Sequence, residues 1–281
     1  GIAGGLEKPG QEYMVKLFED MGADIIRRDP MTEEAIKECL AKYQEGNIGH
    51  NYDDRYNVYA VFKGDKDGRS LMFNGHIDTM PAGNENEWNT PPHTPTMKDG
   101  RLYGLGAADM KGGLMASVMA VQLLKDAGIK LPGDIHITSV CDEEGGGNGS
   151  MAAIMSGEKA DGVVVCEPSS DELILAHMGF VFFKVEFEGK ANHSGAKWKG
   201  VSAIDKAFKV IRELEELEHK WLLTYKHPLL PAPNLNIGTI HGGSAGSTVP
   251  GHCYFETCIH YLPRQMSYDQ IVEEFTDEPG G

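Results

Sequence analysis

The feature that most constrains the fold is a repeated pattern in which a short apolar run leads straight into acidic or imidazole side chains. The runs are residues 70–73, 134–140 and 162–165, and helical patterns lie near them at 111–127 and 150–155. Short β-branched strands that alternate with helices are typical of a sheet with parallel strands and helices on its faces. The first half of the chain is therefore predicted to be an α/β domain.

Local patterns predict two helices before the first of these runs. Apolar residues recur at helical spacing over 12–21 and over 32–43, and Thr32 is a residue type suited to cap the second helix. A loop from 78 to 104 contains four prolines and several glycines. A loop of this length in a folded domain usually carries function.

A β-hairpin is predicted ahead of the long loop. Residues 57–62 and 70–73 are both strand-like, and the loop 65–68 between them consists of Asp, Lys, Asp and Gly, which tight turns favour. The sequence therefore indicates that these two strands pair directly.

The pattern changes in the second half, where the predicted order is strand, helix, strand, strand, helix. The elements are residues 180–187, 202–221, 235–240, 254–261 and 267–275. This order is one strand short of the split β-α-β-β-α-β motif, and the last residues are turn-like. We therefore expect two domains, 1–178 and 179–281, with the second motif not completed within this sequence.

Composition excludes several classes of partner. The 281 residues are 24% charged and 41% hydrophobic, which suits two ordinary globular domains. The net charge of −16 repels nucleic acid and anionic lipid. No run approaches the ~18 apolar residues that span a bilayer, and no secretory signal pattern opens the chain. We expect a cytoplasmic, soluble protein with no nucleic-acid or membrane partner.

Cysteine usage favours reduced thiols over a disulfide framework. The five cysteines are an odd number, lie far apart and include no C-x-x-C pair. Cys141 and Cys166 end apolar runs, so both are predicted to pack as small hydrophobic residues.

The ends of the three apolar runs carry the residues best suited to chemistry. They are His76 and Asp78 after the first run, Asp142, Glu143 and Glu144 after the second, and Glu167 after the third. Ligands of open α/β sheets bind outside the carboxyl ends of the strands, so these side chains are predicted to converge at one edge. Asp109 is a further candidate because it precedes the N-terminus of the helix predicted over 111–127.

Such a cluster implies a cation. Several carboxylates and an imidazole held close together repel one another and shift their pKa values unless a positive charge neutralises them. A divalent metal ion, or a pair of them, supplies that charge. Oxygen and nitrogen ligands without thiolate suit zinc, cobalt or manganese.

Simpler interpretations exist for single residues. A lone histidine or loop carboxylate is more often structural or solvated than a ligand, and His50 and His136 are assigned to surface or packing roles. Residues 242–246 match the G-x-S-x-G pattern of a serine-hydrolase nucleophile. That motif requires a helix after the turn, and here another strand follows, so a glycine-rich loop between strands is the favoured interpretation.

Five separated motifs, in order, resemble the zinc-dependent aminoacylase family. They are residues 76–78, Trp88 with 91–92, 99–113, 142–144 and 167–168, and the likeness continues through 189–195, 236–243 and 249–250. That family includes acetylornithine deacetylase, succinyl-diaminopimelate desuccinylase and the carboxypeptidase G type of peptidase. The resemblance implies a mixed-sheet α/β zinc-hydrolase catalytic domain with an inserted α+β, ferredoxin-like dimerisation domain, or lid.

The resemblance also implies a metal-ligand set. His76 and Glu167 would bind one ion, Asp109 would bridge two ions, and Glu144 would bind the second. The ions would most commonly be zinc, with cobalt or manganese as alternatives. The family's second ion takes a further histidine from near the C-terminus, which the resemblance places beyond residue 281.

The remaining catalytic assignments come from the same resemblance. Asp78 would orient His76, and Glu143 would be the general base that takes a proton from the attacking water and passes it to the leaving amine. His193 resembles a histidine that reaches from the partner subunit to stabilise the oxyanion, which implies a homodimer. The peptide bond after Asp109 is expected to be cis.

The implied reaction is hydrolysis of the amide bond of an N-acyl amino acid, such as acetylornithine or succinyl-diaminopimelate. A dipeptidase or carboxypeptidase of the same family is one alternative, and a catalytically silent metal-binding or dimerisation protein is another. The sequence departs from the family pattern at three positions. His260 stands where many members have a substrate-clamping Arg, Leu105 replaces a common Arg, and His93 replaces a common Phe.

Overall fold

The computed structural model describes residues 5–43, 46–65 and 68–277. The chain divides into two structural units, Gly1–Asp171 and Glu172–Gly281. Within the described ranges, no helix combines the length and the apolar character needed to cross a membrane.

Among its described residues, the first unit has four α-helices and seven strands. The helices are α1 (Lys8–Asp20), α2 (Glu33–Tyr43), α3 (Gly112–Asp126) and α4 (Asn148–Met155). The strands are β1 (Ile25–Pro30), β2 (Tyr56–Phe62), β3 (Leu71–His76), β4 (Thr96–Lys98), β5 (Arg101–Tyr103), β6 (Ile135–Val140) and β7 (Gly162–Val165). Thr32 caps α2 as predicted, because its Oγ1 accepts a hydrogen bond from the Ala35 amide at 3.1 Å.

The core of this unit is a five-stranded mixed sheet in the order β1-β2-β6-β3-β7. Helices α1 and α3 contribute Phe18, Leu114 and Val118 to the main apolar cluster, where they meet Val58 and Ile137 of the sheet. Smaller clusters join β6 to α2 and α4. Strands β2 and β6 are buried along almost their whole length instead of alternating between buried and exposed positions, because they are central strands of a sheet covered on both faces.

The predicted hairpin between residues 57–62 and 70–73 is wrong. Strand β6 lies between β2 and β3, antiparallel to the first and parallel to the second. Neighbouring strands are about 4.8 Å apart, so the connection from Phe62 to Leu71 is long enough to pass over the end of one strand. The turn-forming residues predicted that the chain reverses direction between β2 and β3, but not that β6 lies between these two strands. Residues 66–67 of the predicted turn lie outside the described residues.

The prediction that the three strand ends meet is confirmed. Strand β3 pairs in parallel with β6 on one side and with β7 on the other. His76 at the end of β3 is level with Val140 at the end of β6. The loops that follow these three strands therefore leave the sheet at one edge.

The second unit has the predicted order of elements. Its strands are β8 (Gly179–Glu188), β9 (Asn192–His193), β10 (Asn234–Gly242), β11 (Thr248–Val249) and β12 (His252–Tyr261), and its helices are α5 (Ala203–Thr224) and α6 (Tyr268–Asp277). The three long strands form an antiparallel sheet in the order β10-β12-β8, while β9 pairs with β11. Leu214 and Trp221 of α5 and Ile271 of α6 pack against Phe255 and Ile259 of the sheet.

The fold predicts which unit a core substitution destabilises. Ile137 in the middle of β6 is fully buried, whereas Ile129 is 54% exposed. Ile137→Ala should lower the free energy of unfolding of the first unit by about 2–5 kcal/mol, since it removes apolar contacts and leaves a cavity. Chemical denaturation measures this, with Ile129→Ala, expected within about 0.5 kcal/mol of wild type, as the control. Equal losses from the two variants would contradict the described core.

Candidate metal centre

The centre of the candidate site is His76, whose fully buried ring sits at the carboxyl end of β3. Its Nδ1 lies 3.1 Å from the Asp78 carbonyl oxygen and 3.5 Å from the Asp78 carboxylate. This contact places a proton on Nδ1 and turns Nε2 toward the acidic groups. Nε2 lies 3.2 Å from Asp109 Oδ1, 3.5 Å from Glu167 Oε1 and 3.7 Å from Glu143 Oε2.

Asp78 connects the loop after β3 to the loop after β6 through hydrogen bonds. Its Oδ1 accepts a hydrogen bond from the Glu143 amide at 3.2 Å, and its Oδ2 accepts one from the Glu144 amide at 3.1 Å. Burial disfavours the charged carboxylate, but the contacts with His76 and with the two amides outweigh it and lower the pKa of Asp78. The sequence indicated the contact with His76 but gave no signal for the link to the loop after β6.

Asp109 lies in the segment Ala107–Lys111 directly before α3, at a kink where its own backbone is not helical. Its peptide bond with Met110 is cis, which confirms the expectation from the sequence. The Met110 side chain is buried, while the carboxylate of Asp109 is 54% exposed. The segment therefore directs the Asp109 carboxylate toward the edge of the sheet and the next side chain into the core.

Two overlapping groups of side chains could hold metal ions. In one group, ligand atoms of His76, Asp109 and Glu144 all lie within 4.8 Å of one another, and in the other the same is true of His76, Glu143 and Glu167. The carboxylates of Asp109, Glu143, Glu144 and Glu167 are thus brought together around the histidine. Glu144 Oε1 is also 3.3 Å from the Met80 amide, which donates to it.

The geometry fits a zinc-type ion. Ligands about 2.0–2.1 Å from a tetrahedral ion lie about 3.3 Å from each other. The 3.2 Å between His76 Nε2 and Asp109 Oδ1 agrees with that spacing. The group contains no thiolate, and its donors are those that zinc, cobalt and manganese accept.

The three glutamates of the site bind protons more tightly than ordinary acids do. Burial raises the pKa of Glu143, Glu144 and Glu167, and neighbouring carboxylates add to the effect. For Glu167 the pKa rises to about 7, although the charge of His76 opposes the shift. Burial disfavours protonation of His76, but Asp78, Glu167 and Glu143 outweigh it and raise the pKa of the imidazole to about 9. The site attracts positive charge.

Lys111 is a neighbour of the site that the sequence analysis missed. Burial lowers the pKa of its ammonium group, while the charges of Asp78, Asp109 and Glu144 oppose that shift. Its Nζ lies 3.4 Å from the Ile77 carbonyl oxygen. The sequence signal that could have identified Lys111 is its position two residues after Asp109. This position brings its ammonium group beside the carboxylates at the start of α3.

Four other singled-out positions lie in the second unit or away from the cluster. His193 on β9 is exposed, and its Nδ1 accepts a hydrogen bond from the Gly195 amide at 3.1 Å. His260 lies on β12, where its ring is 6.3 Å from that of Phe180. His93 and Leu105 line one cleft of about 540 Å³ in the first unit.

The serine-hydrolase interpretation of residues 242–246 does not fit the structure. Strand β10 ends at Gly242, and the chain continues through a loop into β11 and then β12. A nucleophile elbow needs a helix directly after the turn. These residues are a glycine-rich connection between strands, as the sequence analysis favoured.

Comparison with known proteins gives a consistent result. A model of "Peptidase family M20/M25/M40" matches residues 72–233. An N-formyl-4-amino-5-aminomethyl-2-methylpyrimidine deformylase of Halalkalibacterium halodurans is 36% identical over 236 residues, covering 79% of this chain and 55% of that protein. An acetylornithine deacetylase of Vibrio parahaemolyticus is 34% identical over 196 residues, covering 69% of this chain and 51% of that protein. The chain spans about half the length of these two curated relatives.

Solved structures share the fold at lower identity. A tripeptidase of Staphylococcus aureus has a TM-score of 0.64 at 22% identity, covering 96% of this chain and 65% of that one. An M20 family metallo-carboxypeptidase of Sulfolobus solfataricus has a TM-score of 0.63 at 17% identity, covering 95% and 74%. The mixed α/β fold predicted from the sequence is confirmed.

The raised pKa values predict how stability depends on pH when no metal is bound. A group whose pKa is raised by folding contributes stability below its unfolded pKa and loses it as the pH rises through the folded value. The pH window over which this stability is lost runs from 4.5 to about 7 for Glu167 and from 6.5 to about 9 for His76, the unfolded and folded pKa values of each group. The free energy of unfolding of chelator-treated protein should therefore fall across both windows.

Chemical denaturation at a series of pH values measures this profile. Glu167→Gln should make the decline in the lower window smaller, because glutamine does not titrate while Glu143 and Glu144 still do. A wild-type stability that stays level or rises over both windows would contradict the described electrostatics.

Proposed function

Because this chain belongs to peptidase family M20/M25/M40, we propose that it is a metal-dependent hydrolase that cleaves the amide bond of a small N-acyl compound. The observation that carries the proposal is the convergence of His76, Asp109, Glu143, Glu144 and Glu167 at one sheet edge. A buried imidazole nitrogen that faces three carboxylates is better suited to a site with a bound divalent cation than to a site without one.

We propose two metal positions, filled by zinc, with cobalt or manganese as alternatives. His76 and Glu167 would hold one ion, Asp109 would bridge both, and Glu144 would hold the other. The 3.5 Å between His76 Nε2 and Glu167 Oε1 and the 3.2 Å between His76 Nε2 and Asp109 Oδ1 support the first set. When bound, the ions acidify a water molecule and polarise the amide carbonyl.

Glu143 is the proposed general base. Burial raises the pKa of its carboxyl group, and a base with a raised pKa accepts a proton from water near neutral pH more readily than an ordinary glutamate does. It would hold that proton on a carboxylate oxygen and return it to the leaving amine nitrogen. Asp78 would keep Glu143 in place through its amide and His76 in its tautomer through Nδ1.

His193 is the proposed donor to the oxyanion, supplied across a homodimer. Its Nδ1 accepts a hydrogen bond from the Gly195 amide, so the proton of the neutral ring is on Nε2. That tautomer has an exposed N–H group that could donate to a developing negative charge. The second unit would then serve as the dimerisation domain.

The names of two relatives support a proposal about the substrate class. One is named for removing a formyl group and the other for removing an acetyl group, each from an amine nitrogen. We therefore propose a deacylase for a small acyl group, with N-acetyl and N-formyl amines and amino acids as first substrates to assay. Turnover of dipeptides alone would instead identify a peptidase of the same family.

The general-base assignment predicts the effect of one isosteric substitution. Glu143→Gln should lower kcat for an N-acyl substrate by about 10²- to 10⁴-fold, because glutamine cannot accept the proton. Zinc content should stay within about twofold of wild type, since Glu143 is not among the proposed ligands. Glu33→Gln on the surface of α2 is the control and should leave both values unchanged. Undiminished turnover in Glu143→Gln would rule out this base.

The ligand sets predict unequal zinc affinities. Of the described residues, His76, Glu167 and Asp109 serve the first ion, while only Asp109 and Glu144 serve the second. Titration of this 281-residue chain with Zn²⁺ against a chromophoric chelator should show one tight and one weaker ion. His76→Asn should remove the tight one. Wild-type protein that retains no zinc would contradict the proposed metal centre.

A further inference from the structure

Asp142, directly before Glu143 and Glu144, is a fully buried carboxylate surrounded by donors. Its Oδ2 accepts hydrogen bonds from Asn148 Nδ2 at 2.7 Å, from Tyr52 Oη at 2.9 Å and from His50 Nδ1 at 2.9 Å. Its Oδ1 lies 3.2 Å from the guanidinium of Arg55. None of these four partners belongs to the proposed metal centre, and His50 was assigned a packing or surface role from sequence.

The partners come from parts of the chain that are far apart in sequence. His50, Tyr52 and Arg55 lie on the segment before β2, while Asn148 begins α4. The buried guanidinium of Arg55 also lies 2.5 Å from Oε1 of Glu7, the residue immediately before α1. The Asp142 side chain therefore links the segment before β2 to the start of α4, and through Arg55 it is connected to the residue before α1.

The backbone around Asp142 fixes the direction in which the chain leaves β6. Asp142 adopts a left-handed conformation with φ of 57°, which is uncommon for a residue other than glycine and persists where surrounding contacts require it. A Cβ atom at Gly145 would lie 2.5 Å from Asp142 Oδ1 and 2.7 Å from His50 Cε1. The loop is thus folded closely around the Asp142 carboxylate.

Glu143 and Glu144 are held from two sides as a result. Their amides donate to Asp78, and the residue before them is anchored by its side chain to Tyr52, Arg55 and Asn148. Without the contacts of the Asp142 side chain, the φ and ψ angles at the end of β6 would be less restricted. The two anchors together determine where the carboxylates of Glu143 and Glu144 point.

Building on the proposed function, we propose that Asp142 is a positioning residue that fixes Glu143 and Glu144 for base catalysis and for metal binding. It acts through the loop backbone and does not touch substrate or metal. Its charge is essential because every partner at Oδ2 donates. An asparagine would present an amide N–H to one of these donors or turn its carbonyl away from the others.

The test compares Asp142→Asn with Asp134→Asn in the full 281-residue chain. Asp134 is a matched control because it stands at the opposite end of β6, where it accepts hydrogen bonds from Lys63 Nζ at 2.6 Å and the Gly64 amide at 3.0 Å. Amide hydrogen exchange of metal-free protein is measured at Glu143 and Glu144. Asp142→Asn should reduce protection at these amides by about tenfold or more, and Asp134→Asn should leave it unchanged.

Metal binding supplies the second readout. Asp142→Asn should weaken Zn²⁺ affinity by about 10- to 100-fold, the usual effect of removing support from a metal ligand. The visible absorption of Co²⁺-loaded protein, which depends on ligand geometry, should shift in Asp142→Asn and not in Asp134→Asn. Tyr52→Phe removes one donor and keeps the charge, so it should reproduce these effects at roughly a third of their size or less, even where Asp142→Asn folds poorly.

The outcomes separate this inference from the proposed function. Unchanged exchange at Glu143 and Glu144 in both Asp142→Asn and Tyr52→Phe would overturn the positioning role. Faster exchange of the Glu143 and Glu144 amides with unaltered Zn²⁺ affinity and Co²⁺ absorption would overturn the positioning role too. Asp142 would then stabilise the loop without affecting the metal centre. Wild-type protein that binds no Zn²⁺ would contradict the proposed function instead, and the exchange comparison would then decide alone whether Asp142 fixes the loop.

Discussion

Mutual repulsion among carboxylates is the constraint around which the first unit is arranged. Asp109, Glu143 and Glu167 all approach His76 Nε2 within 3.7 Å, and burial together with this crowding raises the pKa of Glu143 and Glu167. Such a cluster lowers the free energy of unfolding unless a cation compensates its negative charge. A cluster of this kind in a folded protein therefore indicates a functional site. Parallel pairing of β3 with β6 and β7 is what brings the groups together, and the proposed metal ions are what balance them.

The surrounding scaffold holds the cluster in place by hydrogen bonds rather than by apolar packing alone. Asp78 accepts two amides of the loop after β6, and Asp142 accepts side-chain donors from the segment before β2 and from α4. Both aspartates are buried, and each has partners that compensate its negative charge. Precise placement of a proposed base and its neighbouring ligand thus depends on carboxylates that carry no chemistry themselves.

The strands that end in the site were predictable from sequence because their signals are local. An apolar run followed by His76, by Glu143 or by Glu167 gives both the strand and the position of its end, and the α/β class followed. Pairing was not predictable, because the turn residues before β3 do not reveal that β6 lies between β2 and β3. His50 was missed for a related reason, since its partner Asp142 is distant in sequence and becomes a neighbour only in the folded unit.

X-ray absorption at the zinc edge, on wild-type protein loaded with zinc and dialysed, tests the central claim most directly. The edge height gives the amount of zinc retained, and the fine structure gives the ligand atoms and their distances. The account predicts retained zinc with only nitrogen and oxygen ligands at about 2.0–2.2 Å. Sulfur at about 2.3 Å, or no zinc above background, would show that the cluster around His76 is not the metal centre.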